Sequence, residues 1–307
     1  IFELTPGATI SPASGSVQNF TTPVRYTVTS EDKAWHRVYA ITAREQKASN
    51  IPTTYHFEKV RIMQNVWQEF YEEQDSGNEL TWASGNKGFK WAMSEAATED
   101  YPTTQIDNGK TGKCVKLETR LTGDLGNMVG MPIAAGNLFI GSFDMLNAIT
   151  NPLSATRFGT PFYNKPLRLT GYYKYKAGEQ FYENGEYTSR KDIFNIYAIF
   201  YDGVKYDSAG KGTDVTLDGN LPNQNYEHSS MVALALVSNP QETEGDEWKF
   251  FDIPFDYQRY GKKIDEARLA KGEYKIGIIF ASSKDGATFE GAPGSTLLID
   301  EVELIYE

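Results

Sequence analysis

The residues of this chain that could do chemistry are acids and aromatic rings. Its 307 residues hold 41 Asp and Glu, 19 Tyr, 17 Phe and 5 Trp, against 3 His and 1 Cys. His36, His56 and His228 share no metal-ligand spacing, which argues against a zinc centre. No Gly-x-Ser-x-Gly elbow occurs, and Cys114 lies in a strand-like run with charged flanks, so nucleophilic catalysis has no support. Gly109-Lys110-Thr111 imitates the end of a phosphate-binding loop. The glycine such a loop needs five residues earlier is Thr104, and the stretch leads into a strand.

Acid pairs are the currency of glycoside hydrolysis, which needs two carboxyl groups ~5–5.5 Å or ~6.5–9.5 Å apart. A Glu-x-Asp-x-x-Glu signature would place them on one strand face; it begins at Glu73 and at Glu244 and is completed at neither. Glu118 shares a strand face with Lys116 and Arg120. It is the catalytic candidate if the protein is an enzyme, although the same trio reads more readily as a solvated ion-pair face. Asp300 poses a different question. Alternation in Thr296 to Tyr306 puts it on one face with Leu298, Val302, Leu304 and Tyr306, and Glu58 falls likewise with His56, Val60 and Ile62. Two inward carboxylates need a shared proton or a hard cation. The alternative is that Asp300 accepts backbone N–H groups at a β-bulge.

Aromatic rings stack on the apolar faces of sugars, and amides and charged groups take the hydroxyls. Trp82, Asn86, Phe89 and Trp91 fall within ten residues in a Gly-rich segment read as a loop. In Leu167 to Tyr175 and Ile193 to Tyr201, the rings of Tyr173 and Tyr197 alternate with other residues so that one face of each strand could meet ligand. Arg157, beside Phe158, could hold hydroxyls or a carboxylate. The candidate ligand-binding set is therefore Trp82, Asn86, Trp91, Arg157, Tyr173 and Tyr197, unless long connections cover the sheets and these tyrosines simply pack.

The elements that must position these residues are strands. Residues 1–50 hold two alternating runs, Val24 to Thr29 and Arg37 to Thr42, joined by a "SEDKAW" turn, and read as a small Ig-like β-sandwich that could lack its first strands. Residues 44–53 read as a linker. Residues 54–307 carry strands at His56 to Met63, Lys113 to Arg120, Leu138 to Phe143, Leu167 to Tyr175, Ile193 to Tyr201, Met231 to Val237, Trp248 to Phe255, Tyr274 to Ser282 and Thr296 to Tyr306. No helical pattern reaches 12 residues; a short helix fits "KIDEARLAKG". The fold class is all-β, with a large jelly-roll β-sandwich as the second domain. A net charge of −11 without a Lys/Arg cluster excludes nucleic acid as a partner and favours uncharged ligands.

The opening "LTPGATISPASG…NFTTPVRYTVTSED…VYAITA" resembles the Ig-like N-terminal modules of Bacteroidetes surface proteins. "WASGNKGFKW", "AAGNLFIGSF", "NPLSATRFGTPFYNKPLRLTGYYKYKAG" and "SSKDGATFEGAPGSTLLIDEVELIY" resemble the putative carbohydrate metabolism domain of the same bacteria. The resemblance implies a jelly-roll carbohydrate-binding protein engaging an oligosaccharide or polysaccharide. It also implies an outer-membrane lipoprotein at the cell surface or in the periplasm, meeting the membrane only through a lipid anchor upstream. Jelly-roll carbohydrate-binding modules often carry a structural calcium, for which Glu58 and Asp300 would be the ligands; no other cofactor is expected. A glycoside hydrolase or lyase on the same scaffold, and a structural or adhesive protein with an exposed apolar patch, are the alternatives.

Overall fold

The computed structural model describes residues 2–42, 48–74 and 76–307, so residues 44–47 of the expected linker lie outside the described residues. The chain divides into two compact units, Ile1–Ala48 and Ser49–Glu307. The first is an antiparallel three-stranded sheet of Thr9–Ser11, Val24–Thr29 and His36–Ile41, with Val24–Thr29 in the middle. Its hairpin turn is closed by the Ser30 N–H donating to the Trp35 carbonyl at 3.0 Å. The Ser30 hydroxyl donates to Asp32 at 2.6 Å. Tyr26, with the Phe2 ring 4.7 Å away, forms what core this unit has.

The second unit is a sandwich. One sheet runs Lys249–Pro254, Pro166–Lys176, Thr296–Tyr306, Lys113–Glu118 and Thr103–Asp107, with Thr54–Tyr55 pairing with Thr296–Tyr306. The other runs Asn137–Phe139, Tyr274–Ala281, Asn195–Asp202 and Met231–Leu236, with Thr160–Pro161 added on Tyr274–Ala281. Leu117, Leu169, Ile299 and Leu304 of the first meet Ile196, Phe200, Ile278 and Phe280 of the second in one dry core. A short helix, Glu266–Leu269, forms within the stretch read for it, capped by the Asp265 carboxylate. Ile51, read as linker, is buried in this core, and its carbonyl accepts from the Gln74 amide at 2.6 Å.

The second sheet is buried on both faces. Tyr197, Ile199, Tyr201, Leu234 and Ile279 point away from the sandwich core into a further apolar layer with Phe158, Leu217, Leu221 and Tyr226. The long connections therefore form a third layer. Its polar groups find partners inside it: the Tyr201 hydroxyl donates to the Phe158 carbonyl at 2.7 Å, and the Asn195 amide to the Tyr226 hydroxyl at 2.9 Å.

Four expected strands differ. Leu138 to Phe143 divides into Asn137–Phe139 and Gly141–Phe143, which pair in different sheets, and Lys113 to Arg120 divides into Lys113–Glu118 and Arg120–Leu121. His56 to Met63 is interrupted: Thr54–Tyr55 joins the large sheet, while Val60–Met63 pairs with Trp67–Glu73, a strand the sequence reading did not include. The break falls at Phe57, whose φ of 55° leaves the extended region. Glu58 is consequently exposed and not inward-facing. In Thr296–Tyr306, a bulge changes the phase. Pairing with Pro166–Lys176 shifts between Thr170 and Tyr172, opposite Glu303 and Asp300, where Glu301 has φ 48°. Leu297, Ile299, Val302 and Leu304 all point into the core as a result, and Asp300 lies on the outer face with Leu298. It does not share a face with Val302 and Leu304.

Asp300 is still wholly buried, because a hairpin loop lies over it. The loop is the "NGKTGK" stretch. Thr111 N–H donates to Asp300 Oδ2 at 3.0 Å and Glu301 N–H to Oδ1 at 2.9 Å, while Lys113 N–H donates to Glu58 Oε1 at 2.8 Å. The two glycines permit the approach. A Cβ on Gly109 would sit 2.7 Å from Asp300 Oδ2, and one on Gly112 would sit 2.1 Å from Glu58 Oε1. The two carboxylates thus grip one hairpin from either side through backbone N–H groups. Calcium takes six to eight oxygen ligands. Among the described residues no group of three or more His, Cys, Asp or Glu could hold a metal. Here both carboxylates are engaged as a hairpin clamp by backbone N–H groups.

Burial pushes the Asp300 carboxyl up to about 6, against the pull of its N–H donors. Between pH ~4 and ~6 the folded protein keeps a proton that the unfolded chain has released, so this group's contribution to stability falls as pH rises through that window. Urea unfolding at several pH values should show this slope, and Asp300→Asn should flatten it. Adding a calcium chelator should leave the thermal midpoint unchanged; a drop would restore the cation. Trp82→Ala, which empties the space between Tyr55, Phe57 and Phe280, should cost roughly 3–5 kcal/mol in the same unfolding measurement.

Candidate functional site

The segment read as a Gly-rich loop is a short helix, Asn86–Ala92, following Gly85. Asn86 is fully buried and acts as a staple. Its amide donates to the carbonyls of Gln68 at 3.3 Å and Thr103 at 2.7 Å, and its oxygen accepts the Thr103 N–H at 3.1 Å. Phe89 packs edge-on against Tyr101 at 5.4 Å. Trp91, two positions on, turns the other way and is 39% exposed.

A depression lies on each side of this helix. One is an apolar cleft of about 180 Å³ lined by Trp91, Phe143, Ile149, Phe158 and Tyr197, with Asn137 among its polar groups. The other is wider, about 730 Å³, and charged: Glu95, Asp100, Glu118 and Arg120 line it with Phe89 and Leu121. Phe89 and Ala92 belong to both walls. Glu118 is bound at both oxygens, by Lys116 Nζ at 3.0 Å and Arg120 Nε at 3.1 Å. Arg120 also faces Asp100 at 3.9 Å. So held, Glu118 is an ion-pair partner in a row of alternating charges.

Of the six ligand-binding candidates, the structure brings Trp91 and Tyr197 to one cleft, and Tyr197 only as its floor, 3% exposed and edge-on to Tyr226. Trp82 directly follows the strand Glu79–Thr81; its backbone N–H donates to the Phe70 carbonyl at 2.9 Å and its ring is sealed in the sandwich core, 1% exposed. Tyr173 is in the same core against Phe194, at 4.8 Å. Arg157 is half-exposed on the strand Thr156–Phe158, 3.9 Å from Asp144, and does not line the cleft. The tyrosines fail as ligand groups for one reason: on strands whose two faces are both apolar or aromatic, alternation does not say which face is open.

The sequence reading missed the open face. Tyr172, the neighbour of Tyr173, points outward from the large sheet and packs on Phe250 at 5.2 Å; Phe250 is 54% exposed. The signal was the spacing of Trp248 and Phe250, alternate residues leading into an edge strand. A second unforeseen feature is a set of exposed apolar residues near the apolar cleft: Ile149, 46% exposed, lines it, and Met128 and Leu146, 78% and 73% exposed, adjoin in sequence the lining residues Val129 and Met145.

Comparison with known proteins agrees with this architecture. No curated protein matches the sequence. Residues 1–43 match the family described as SGBP, N-terminal, the start of surface glycan-binding proteins of Bacteroidetes, which supports a cell-surface or periplasmic setting. A protein described as a putative glycoside hydrolase from Bacteroides vulgatus is 50% identical, with 85% of this chain and 100% of that one covered and a TM-score of 0.78. Another so described, from Bacteroides thetaiotaomicron, is 46% identical over 99% of this chain and 84% of that one, with a TM-score of 0.75. The family described as putative carbohydrate metabolism domain matches residues 56–305, nearly the whole second unit. Its role is therefore carbohydrate-related, and the chain belongs to the putative carbohydrate metabolism domain family.

Proposed function

We propose that this protein binds glycan without cleaving it, at the paired depressions flanking the helix Asn86–Ala92. The observation that carries the reading is Trp91, a partly exposed indole lining the apolar cleft, on the helix whose Phe89 and Ala92 also wall the charged depression. A sugar needs a flat apolar surface for its C–H face and charged or amide groups for its hydroxyls. Trp91 supplies the first; Asn137, on the apolar side, and Glu95, Asp100 and Arg120, on the other, supply the second. Non-catalytic binding is favoured because Glu118, the acid best placed for hydrolysis, has both oxygens engaged by cations. Hydrolysis is the rival, since Glu95, Asp100 and Glu118 share one depression and the Bacteroides proteins cited above are described as putative glycoside hydrolases. A protein partner is a further reading, drawn from the exposed apolar residues Met128, Leu146 and Ile149.

In this proposal the protein acts in glycan use at the cell surface as an outer-membrane lipoprotein, with its first unit an Ig-like module and its anchor in a preceding segment. Among the described residues no helix is long and apolar enough to cross a membrane. The test is a glycan array followed by calorimetry on the best ligand. Trp91→Ala is expected to weaken binding about tenfold or more while leaving the unfolding midpoint in place. Undiminished binding in that variant removes the site. Release of reducing ends by the wild type that disappears in Glu118→Gln makes the protein a hydrolase. Silence across the array, with a bound protein partner lost on Leu146→Ser, favours the adhesive reading.

A further inference from the structure

Among the described residues, the outer face of the large sheet carries an exposed aromatic cluster. Tyr172 and Phe250 are directly paired across neighbouring strands, with ring centroids 5.2 Å apart and planes at 56°. Trp248 comes just before the edge strand Lys249–Pro254, and Lys174, two positions along the strand from Tyr172, reaches over its ring. Each end of this strip carries an ammonium group over a ring: Lys110 Nζ lies 4.9 Å from the Tyr172 centroid and Lys174 Nζ 5.1 Å from that of Trp248. Lys110 is brought there by the hairpin that Asp300 and Glu58 grip. Leu298, between Lys116 and Lys174 in the sheet, gives the strip an apolar floor.

The charges on this face are unevenly satisfied. Asp252 has Arg168 at 2.6 Å and Glu118 has Lys116 at 3.0 Å. Asp300 is buried under the hairpin. Lys110 makes no ion pair among the described residues, and Lys174 has only a 3.6 Å contact with Asp246, which is fully exposed. Two cations with weak or no anionic partner thus flank a strip of three rings, on a protein whose net charge is −11.

We infer that this strip is a second glycan-binding surface and that it takes chains bearing carboxylate groups, such as polyuronates. The inference rests on the carbohydrate-binding reading above and adds a substrate class and a separate location. Phe250 and Trp248 receive the apolar faces of successive sugars, and Lys110 and Lys174 receive their carboxylates. An exposed aromatic strip interleaved with cations suits an acidic sugar better than a neutral one, whose hydroxyls would not compensate two ammonium groups.

The experiment is calorimetric titration of the full chain with polygalacturonate, alginate and glucuronoxylan, each beside its carboxyl-reduced form. At least one acidic polymer should bind more tightly than its reduced form, and binding should weaken as salt is raised from about 0.05 M to about 0.5 M. Phe250→Ala with Trp248→Ala, and separately Lys110→Gln with Lys174→Gln, should each weaken it roughly tenfold, while Trp91→Ala leaves it in place. Unchanged urea midpoints in the Lys110 and Lys174 pair keep loss of fold apart from loss of ligand. The strip is overturned if no acidic polymer is preferred, if both double variants bind as wild type does, or if Trp91→Ala alone abolishes the binding. Neutral glycan binding that depends on Trp91, with no acidic preference, sinks the strip and spares the cleft. Failure of every glycan, acidic and neutral, sinks both.

Discussion

The architecture depends on burying both faces of one sheet. In Asn195–Asp202, seven consecutive residues are buried, so neither face of that strand is available to solvent. A strand of this kind reads as continuous apolar sequence and needs cover above and below. The cover below is the large sheet. The cover above is the set of long connections carrying Phe158, Leu217, Leu221 and Tyr226. Once those connections are committed to packing, open surface remains at the edges of the third layer and on the far face of the large sheet. That allocation decides which aromatic rings are core and which can meet a ligand.

The covering segments must themselves be tied down, and a buried acid does much of this. Asp192, 2% exposed, accepts the Ile193 N–H at 2.9 Å, the Ala292 N–H at 2.8 Å, the Ser283 hydroxyl at 2.6 Å and the Ser295 hydroxyl at 2.7 Å. Burial raises its pKa while these four donors oppose the shift. Ser283 continues to Thr119 at 2.6 Å and Ser295 to the Gly178 N–H at 2.9 Å. One carboxylate therefore joins the connection after Tyr274–Ala281 to the strands on either side. Ser283 also lines the apolar cleft, so the network that anchors the cover shapes the wall of the candidate site.

Much of the fold was legible because most strands have strong local signals. Val24–Thr29 and Thr296–Tyr306 run between the residues expected, and the strands through Tyr173, Ile199, Leu234 and Ile278 fall within two residues of expectation. The errors have physical causes. Trp67–Glu73 carries three acids in a pattern that looks solvated, yet Glu72 is buried because it accepts the Phe57 N–H at 2.7 Å. The bulge at Glu301 puts an extra residue into an otherwise regular alternation, and no residue type there announces it. Trp82 and Trp91 sit in the same quoted stretch, and only the helix between them reveals that one turns inward and the other out. Of the candidate site, Trp91 was readable as an aromatic in a Gly-rich segment, whereas the charged depression is assembled from residues that are distant in sequence.

Cys114 gives the clamped hairpin an unplanned use. It is the chain's single thiol, it is fully buried on the strand that the hairpin enters, and burial pushes its pKa up to about 12. It has no partner for a disulfide and, while the strand is paired, almost no thiolate with which to react. Any labelling of the native protein by a thiol reagent must pass through an opening that frees this strand from its neighbours. The unmodified protein therefore carries its own single-site clock for local unfolding, set beside the loop that delivers Lys110 to the aromatic strip.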